Sequence, residues 1–378
     1  MHILVLLTDL FDAIGGIQTF NRCLVKALDE LAEKNNWKIT ILVLNDDKSV
    51  VVDKPYIREQ WSTYRGFANN RLQFVYAASK VALDVDIIFF GHVNFIPLAV
   101  FFRLINFKAN IILMLHDVEI EKRFSLLKQI GLKRVNKFLS NSTITRDRAI
   151  CLEKLNREKF YVFPCTLEIQ NDTACYYKSR EELFPSFSSE LILLTVSRLE
   201  KVSQFKNIDM VIRSIPHILK EVPNVFYVIV GDGTDRFRLE QVAKDAGVAD
   251  RVIFAGKISD EILPSYYKAC DVFVLPSTNE GFGIVFLEAM NYAKPCVGVK
   301  AGGVQDIICH KETGFLSEPD DLKNLVQYLV LLLKNKDVRD SFGAGGRERL
   351  KKEFSFEIFR SRLEKILANS IGKSQKII

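Results

Sequence analysis

Residues 272–306 read VFVLPSTNEGFGIVFLEAMNYAKPCVGVKAGGVQD. Val272 to Leu275 is a short, unbroken apolar run, the pattern of a strand buried on both faces. Pro276 to Gly283 is polar and carries two glycines, Gly281 and Gly283. A helix is expected from Ile284 or Val285 to Tyr292, and a second buried strand over Cys296 to Val299. Strand, helix and strand joined by short connections make one parallel βαβ unit.

The same rhythm extends on both sides. Leu191 to Val196 (LILLTV), Val225 to Val230 (VFYVIV) and Val252 to Ala255 read as strands. Helices are expected at Asp209 to Lys220, Phe237 to Ala246, Asp260 to Ala269, Leu322 to Asn335 and Val338 to Glu353. The first half repeats the pattern. His2 to Asp9 (HILVLLTD) reads as a strand, Gly15-Gly16 as a turn, and Thr19 to Lys34 as an amphipathic helix. Further strands are expected at Lys38 to Leu44, Asp86 to Phe90, Asn110 to Leu115, Lys137 to Leu139 and Phe160 to Phe163. Between Pro164 and Pro185 the rhythm lapses into a mixed, turn-rich stretch, which marks a boundary. The expected organisation is a first α/β domain over 1–170 and a second over 171–353. Residues 354–378 supply a last helix and a tail. Ligands of such sheets bind beyond the strand C-termini, so a cleft between the domains is the expected site.

Composition fits this reading. Of 378 residues, 48% are hydrophobic and 28 are Phe, enough to fill two cores, which excludes disorder as the main theme. With 19 Gly and 10 Pro, a collagen-like chain is excluded too. The seven Cys show no CxxC spacing. With no signal peptide read at the start, a reduced cytoplasmic chain is expected and no structural zinc site. The excess of basic residues lies in the first half; residues 122–159 hold 11 basic and 3 acidic side chains. A solvated helix face is the default reading of that stretch, and an anionic membrane surface the sharper one. No basic run interleaved with aromatics supports nucleic-acid binding. The longest apolar stretch, Phe95 to Phe107 (FIPLAVFFRLINF), is too short to span a bilayer. It is either a buried helix or one whose aromatics touch a membrane.

Several residues are suited to chemistry. Gly281 and Gly283 let the backbone pass close to a ligand, and the helix start at Ile284 offers free N–H groups and a positive dipole end to a phosphate. Glu280 and Glu288, eight positions apart, can accept hydrogen bonds from hydroxyls on one ligand. Phosphate and hydroxyls together describe a nucleotide sugar. In TVSRLEKVSQFKNID, Thr195 to Asp209, Arg198 and Lys206 follow a strand and can neutralise a diphosphate; Lys201 is the weaker candidate. Gly231 opens GDGTDRFRLE, but Arg236 stands where a dinucleotide fingerprint needs its third glycine. His116, at the end of the strand NIILMLH, points to the same cleft from the first domain. No metal-binding cluster is read, so no metal is expected.

These residues resemble a retaining glycosyltransferase of family 4. The resemblance rests on the Glu-x7-Glu element in EGFGIVFLEAM, with Ala301-Gly302-Gly303, Thr313 to Leu316 (TGFL), and the Arg198 to Lys206 segment. It implies the GT-B fold, two Rossmann-like parallel α/β domains facing across a cleft, with the last helix crossing back to the first domain. It also implies roles. Glu280 would hold the donor sugar's hydroxyls and Glu288 the ribose hydroxyls. Arg198 and Lys206 would bind the diphosphate. The backbone of Phe282, Gly283, Ile284 and Val285 would contact sugar and phosphate. Gly256, Lys257 and Ile258 would lie along the base. His116 would contact the donor sugar, and Gly16, with Gly15, would approach the β-phosphate. Three departures stand out: Cys165-Thr166 after Pro164 in place of Asn-Gly, a long spacing from Arg198 to Lys206, and Asp306 where Glu is commoner. The implied reaction is metal-independent, retaining transfer of a hexosyl group from a nucleotide diphosphate sugar, UDP-glucose first, to an acceptor hydroxyl. Expected partners are that donor and a saccharide or lipid-linked saccharide acceptor, with peripheral contact to an anionic membrane and no nucleic acid. Surface-glycan or polysaccharide synthesis at the inner face of the membrane is the expected setting. The rivals are a non-catalytic nucleotide-sugar-binding partner and a nicotinamide-dependent oxidoreductase.

Overall fold

The computed structural model describes residues 1–12, 15–47, 56–116, 120, 122–167, 177–187 and 189–371. The chain divides into two units. One comprises Met1–Glu168 with Phe354–Ile378, the other Ile169–Glu353.

The first unit runs β1 (His2–Leu7), α1 (Gly16–Asn35), β2 (Lys38–Val43), β3 (Ser62–Gly66), α2 (Arg71–Ala82), β4 (Ile87–Phe90), α3 (Leu98–Ile105), β5 (Asn110–Leu115), α4 (Leu126–Leu132), β6 (Lys137–Ser140), α5 (Thr143–Glu153) and β7 (Phe160–Val162). Its seven strands form one parallel sheet in the order β3-β2-β1-β4-β5-β6-β7. The order reverses between β1 and β4. Right-handed crossovers then place α2, α3, α4 and α5 on one face of the sheet and α1 on the other. The buried side chains agree. Phe74 and Ala78 of α2, Ala99 and Phe102 of α3, Leu132 of α4 and Ala149 of α5 share one core with Leu4, Ile88 and Leu113 of the strands. Each fully buried Leu, Ile or Phe among them contributes about 1.5–3 kcal/mol.

The second unit runs α6 (Arg180–Leu183), β8 (Leu191–Val196), α7 (Ile208–Leu219), β9 (Val225–Val230), α8 (Arg236–Asp245), β10 (Val252–Gly256), α9 (Leu263–Ala269), β11 (Val272–Val274), α10 (Ile284–Asn291), β12 (Cys296–Val299), α11 (Val304–Ile307), β13 (Gly314–Ser317), α12 (Leu322–Lys334) and α13 (Lys336–Arg349). Its sheet is parallel in the order β10-β9-β8-β11-β12-β13, reversing between β8 and β11. A π-helical turn, Leu350–Phe354, follows α13.

α14 (Phe356–Ile371) packs on α1 within the first unit. Its ring Phe359 meets Phe20 at 5.8 Å and Phe163 at 4.3 Å. Lys137 Nζ donates to the carbonyl of Ile366 at 2.7 Å, and Asn110 Nδ2 to that of Ser370 at 3.0 Å. Arg360 pairs with Glu30, and Lys34 with Glu364 at 2.8 Å.

Two strands lie outside the expected set, β3 and β13. β3 (STYRG) is polar and pairs only with β2 at the sheet edge; β13 (GFLS) is four residues long and pairs only with β12. Neither carries the apolar run by which the central strands announce themselves. The stretch Phe95 to Phe107 is a half-exposed helix, not a fully buried one. Phe95 and Phe102 are buried, but Phe101, Leu104 and Phe107 are 44%, 79% and 73% exposed.

Candidate active site

In the second unit the chemistry collects where the strand order reverses, the position at which open α/β sheets bind ligands. β8 ends at Val196, and its backbone goes on pairing with the β9 end: Ser197 N donates to Val230 O at 3.0 Å and Leu199 N to Asp232 O at 3.0 Å. Arg198 lies between them with an exposed side chain, and its guanidinium has no partner among the described residues. Gly231 makes that register possible. Its φ is +128°, and a Cβ there would stand 1.9 Å from the carbonyl oxygen of Ser197.

A 3-10 segment, Lys201–Lys206, follows and closes on Asn207 in the left-handed conformation, φ +53°. It is docked onto the turn after β11. Asn207 Nδ2 donates to Pro276 O at 3.1 Å, and Thr278 N to Phe205 O at 2.9 Å. That docking brings Lys206 Nζ into an ion pair with the carboxylate of Glu280, the two side chains being 20% and 15% exposed. Lys201 is exposed and makes no such contact. Of the two lysines, only Lys206 joins the turn.

Glu280 is held from behind. Gly303 N donates to its carbonyl at 2.7 Å, and a Cβ on Gly302 or Gly303 would fall 2.2 Å from Glu280 O or 2.3 Å from Gly281 O. The Ala-Gly-Gly run is therefore a clamp that fixes the turn. Gly283, at φ +98°, starts α10, whose first N–H groups have no intrahelical acceptor. Phe282 is buried; Gly281, Ile284 and Val285 are half-buried.

Glu288 lies one turn into α10. Tyr267 Oη donates to Glu288 Oε2 at 2.5 Å, and Tyr267 is itself only 2% exposed. Burial pushes the Glu288 carboxyl above its usual range, and the Tyr267 hydroxyl works against that by bonding the charged form. Tyr267 is a site residue the sequence did not announce, since a tyrosine on an apolar helix reads as core. At the flank, Gly231 N donates to Gly256 O at 2.8 Å, which joins the ends of β9 and β10. Gly256 is at φ +73°, Lys257 is exposed and Ile258 half-buried.

The remaining expected residues belong to the first unit. His116 directly follows β5 and is 4% exposed. Its Nε2 lies 3.2 Å from the carbonyl of Gly91, and its ring meets Phe20 edge-on at 5.3 Å. Gly91 follows β4, so His116 stands beside the first unit's own point of strand-order reversal. Gly15 caps α1 with extended backbone, φ 163°, and Gly16 is the helix's first residue.

Residues 179–349 match the family model for glycosyl transferases group 1. N-acetyl-alpha-D-glucosaminyl L-malate synthase of Bacillus anthracis is 33% identical over 178 residues, 47% of this chain and 45% of that protein. GDP-mannose-dependent alpha-(1-6)-phosphatidylinositol monomannoside mannosyltransferase of Mycobacterium tuberculosis is 30% identical over 180 residues, 46% of this chain and 47% of that one. The chain thus spans about half the length of the curated relatives it matches. Among solved structures, Anabaena HepE in complex with UDP superposes with a TM-score of 0.79 at 20% identity, covering 98% of this chain and all of that one. Sucrose-phosphate synthase of Thermosynechococcus elongatus gives 0.76 at 19% identity, over 99% of this chain. The fold is GT-B, two Rossmann-like parallel α/β domains.

Proposed function

We propose that this chain is a retaining, metal-independent hexosyltransferase of glycosyltransferase family 4, acting on a UDP-sugar. The observation that carries the reading is the pairing of Lys206 with Glu280 at the reversal point of the second sheet, beside the glycine-started helix α10. A cation for a diphosphate and a carboxylate for sugar hydroxyls sit side by side there. UDP and UDP-glucose complexes of Anabaena HepE support a uridine donor, and glucose is the first choice of sugar.

The barrier in such a transfer is charge separation. As the bond between the anomeric carbon and the diphosphate oxygen breaks, the sugar becomes oxocarbenium-like and negative charge collects on the leaving diphosphate. Arg198, Lys206 and the N–H groups at the start of α10 stabilise that charge in place of a metal ion. The acceptor hydroxyl bonds to the anomeric carbon from the face the diphosphate leaves, and its proton passes to the departing diphosphate oxygen. Configuration is thereby retained. Glu280 positions the sugar, and Glu288, held by Tyr267, accepts from the ribose hydroxyls. Gly256, Lys257 and Ile258 flank the base. The acceptor is a saccharide or lipid-linked saccharide, and the setting polysaccharide or surface-glycan synthesis at the cytoplasmic face of the membrane.

The test is a thermal-shift panel of UDP, GDP, ADP, their hexose conjugates and NAD, with and without EDTA. A selective shift by UDP and one UDP-sugar, unchanged by EDTA, is expected. A shift by NAD with none by any sugar nucleotide would replace this reading with the oxidoreductase one.

A further inference from the structure

The helices α2, α3 and α4 lie side by side on one face of the first sheet and share its core. Each exposes large apolar side chains on or just beyond it. On α2, Leu72 is 85% exposed and Tyr76 63%, with Leu83 just beyond at 60%. On and after α3, Leu104 and Phe107 are 79% and 73% exposed. On α4, Leu126 and Leu127 are 73% and 59% exposed. α4 is pressed onto the entrance of α3, since a Cβ on Gly131 would fall 2.3 Å from the carbonyl oxygen of Ile96. α3 packs against both α2 and α4, so the exposed side chains belong to adjoining helices. Large apolar patches on soluble surfaces mark contact sites.

The three helical segments themselves carry charge of one sign, and acids lie only beyond their ends. Residues 71–83, 98–108 and 122–134 contain nine Lys and Arg and no Asp or Glu. Lys80 stands 4.7 Å over the Tyr76 ring and Lys108 5.8 Å over that of Phe107. Arg103 is engaged internally, bonding the carbonyls of Phe107, Ala109 and Arg134. Lys80, Lys108, Lys122, Arg123 and Lys133 are exposed. Of the bordering acids, Asp84 follows Leu83 at the edge, and Glu153 is occupied by the backbone N–H of Phe124.

We infer that this three-helix face seats the protein on an anionic lipid bilayer. Apolar side chains enter the headgroup boundary, while lysines and arginines remain at the phosphate level. A second copy of the chain is the poorer occupant. A two-fold contact through this face would set the nine cations of one copy against those of the other, with carboxylates only beyond the segment ends to pair them. Nucleic acid would match the charge but leave the leucines exposed. The inference deepens the acceptor reading above by naming the surface on which a lipid-linked acceptor would be met, and its test does not depend on donor binding.

The test is co-sedimentation with vesicles of phosphatidylcholine alone and of phosphatidylcholine with phosphatidylglycerol, at low and high salt. The wild type and the double variant Leu104→Glu, Leu126→Glu are compared; both positions are exposed, so the fold is retained, which an unchanged melting temperature checks. Expected is binding only to the anionic vesicles, weakened by salt and reduced at least about tenfold in the variant. Absence of binding, equal binding to phosphatidylcholine alone, or binding untouched by the two substitutions would overturn the inference. So would a wild-type dimer that the variant converts to a monomer, which would make the face a contact between copies. If UDP still shifts the melting temperature while vesicle binding fails, the docking face alone is refuted; the reverse outcome refutes the donor site alone.

Discussion

Glu280→Gln removes the carboxylate charge from the ion pair with Lys206 and keeps the side chain's shape. The backbone contact from Gly303 N to Glu280 O, at 2.7 Å, is untouched, so the turn survives. In the free protein Lys206 is engaged by Glu280, and a diphosphate must take it over. Two unit charges about 4 Å apart at an effective dielectric of roughly 20 attract by about 4 kcal/mol. With the two side chains only 20% and 15% exposed, much of that is offset by desolvation and by fixing the long lysine chain. A net value of about 0.5–1 kcal/mol remains. Freed of that competitor, the variant should bind UDP about 2- to 5-fold more tightly. UDP-sugar turnover should instead fall by about 10²-fold, because the sugar loses a charged partner in the transition state. Calorimetric titration with UDP and an initial-rate assay of UDP release read the two effects separately. Weaker UDP binding, or unchanged turnover, would refute the assignment of Lys206 to diphosphate and Glu280 to sugar.

Lys206→Ala should lower kcat/KM by about 10²-fold or more, whereas Lys201→Ala should change it by less than about 3-fold; parallel kinetics on the two variants separate the lysines. The buried Glu288 carboxyl is raised, so its protonated form is favoured by folding and its ionised form costs stability. Glu288→Gln should therefore raise resistance to denaturant at neutral pH, with the gain disappearing below about pH 4.3, while UDP affinity falls. Tyr267→Phe removes the bond that favours the charged carboxylate, so the acid limb of UDP binding should move to higher pH, as titrations across the acid range would show. Gly231→Ala places a Cβ against the Ser197 carbonyl at positive φ and should destabilise the fold by roughly 2–4 kcal/mol, read by denaturant unfolding.

The central strands were legible because burial on both faces writes them as unbroken apolar runs: LILLTV and VFYVIV leave no other reading. Edge strands carry no such signature. β3 (STYRG) exposes two of its five residues, and nothing in its composition separates it from a loop. Of the site, the glycines and charges after β8 and β11 could be read from their order along the chain. The contact between Lys206 and Glu280 could not, because it depends on how Asn207 and Thr278 dock two loops separated by three intervening helix and strand pairs. Tyr267 was hidden for another reason. Its ring is core and only its hydroxyl belongs to the site, and sequence pattern reports the ring. The exposed face of α3 was hidden likewise, since FIPLAVFFRLINF is apolar but for Arg103 and Asn106, and only the packing decides which residues are left outside.

Backbone hydrogen exchange with and without UDP locates the nucleotide without assuming a reaction. Exchange should slow at the start of α10, over 281–285, and in the 197–207 segment that carries Arg198 and Lys206. Protection confined to other segments of the chain, with these two unchanged at saturating UDP, would contradict the donor-site assignment.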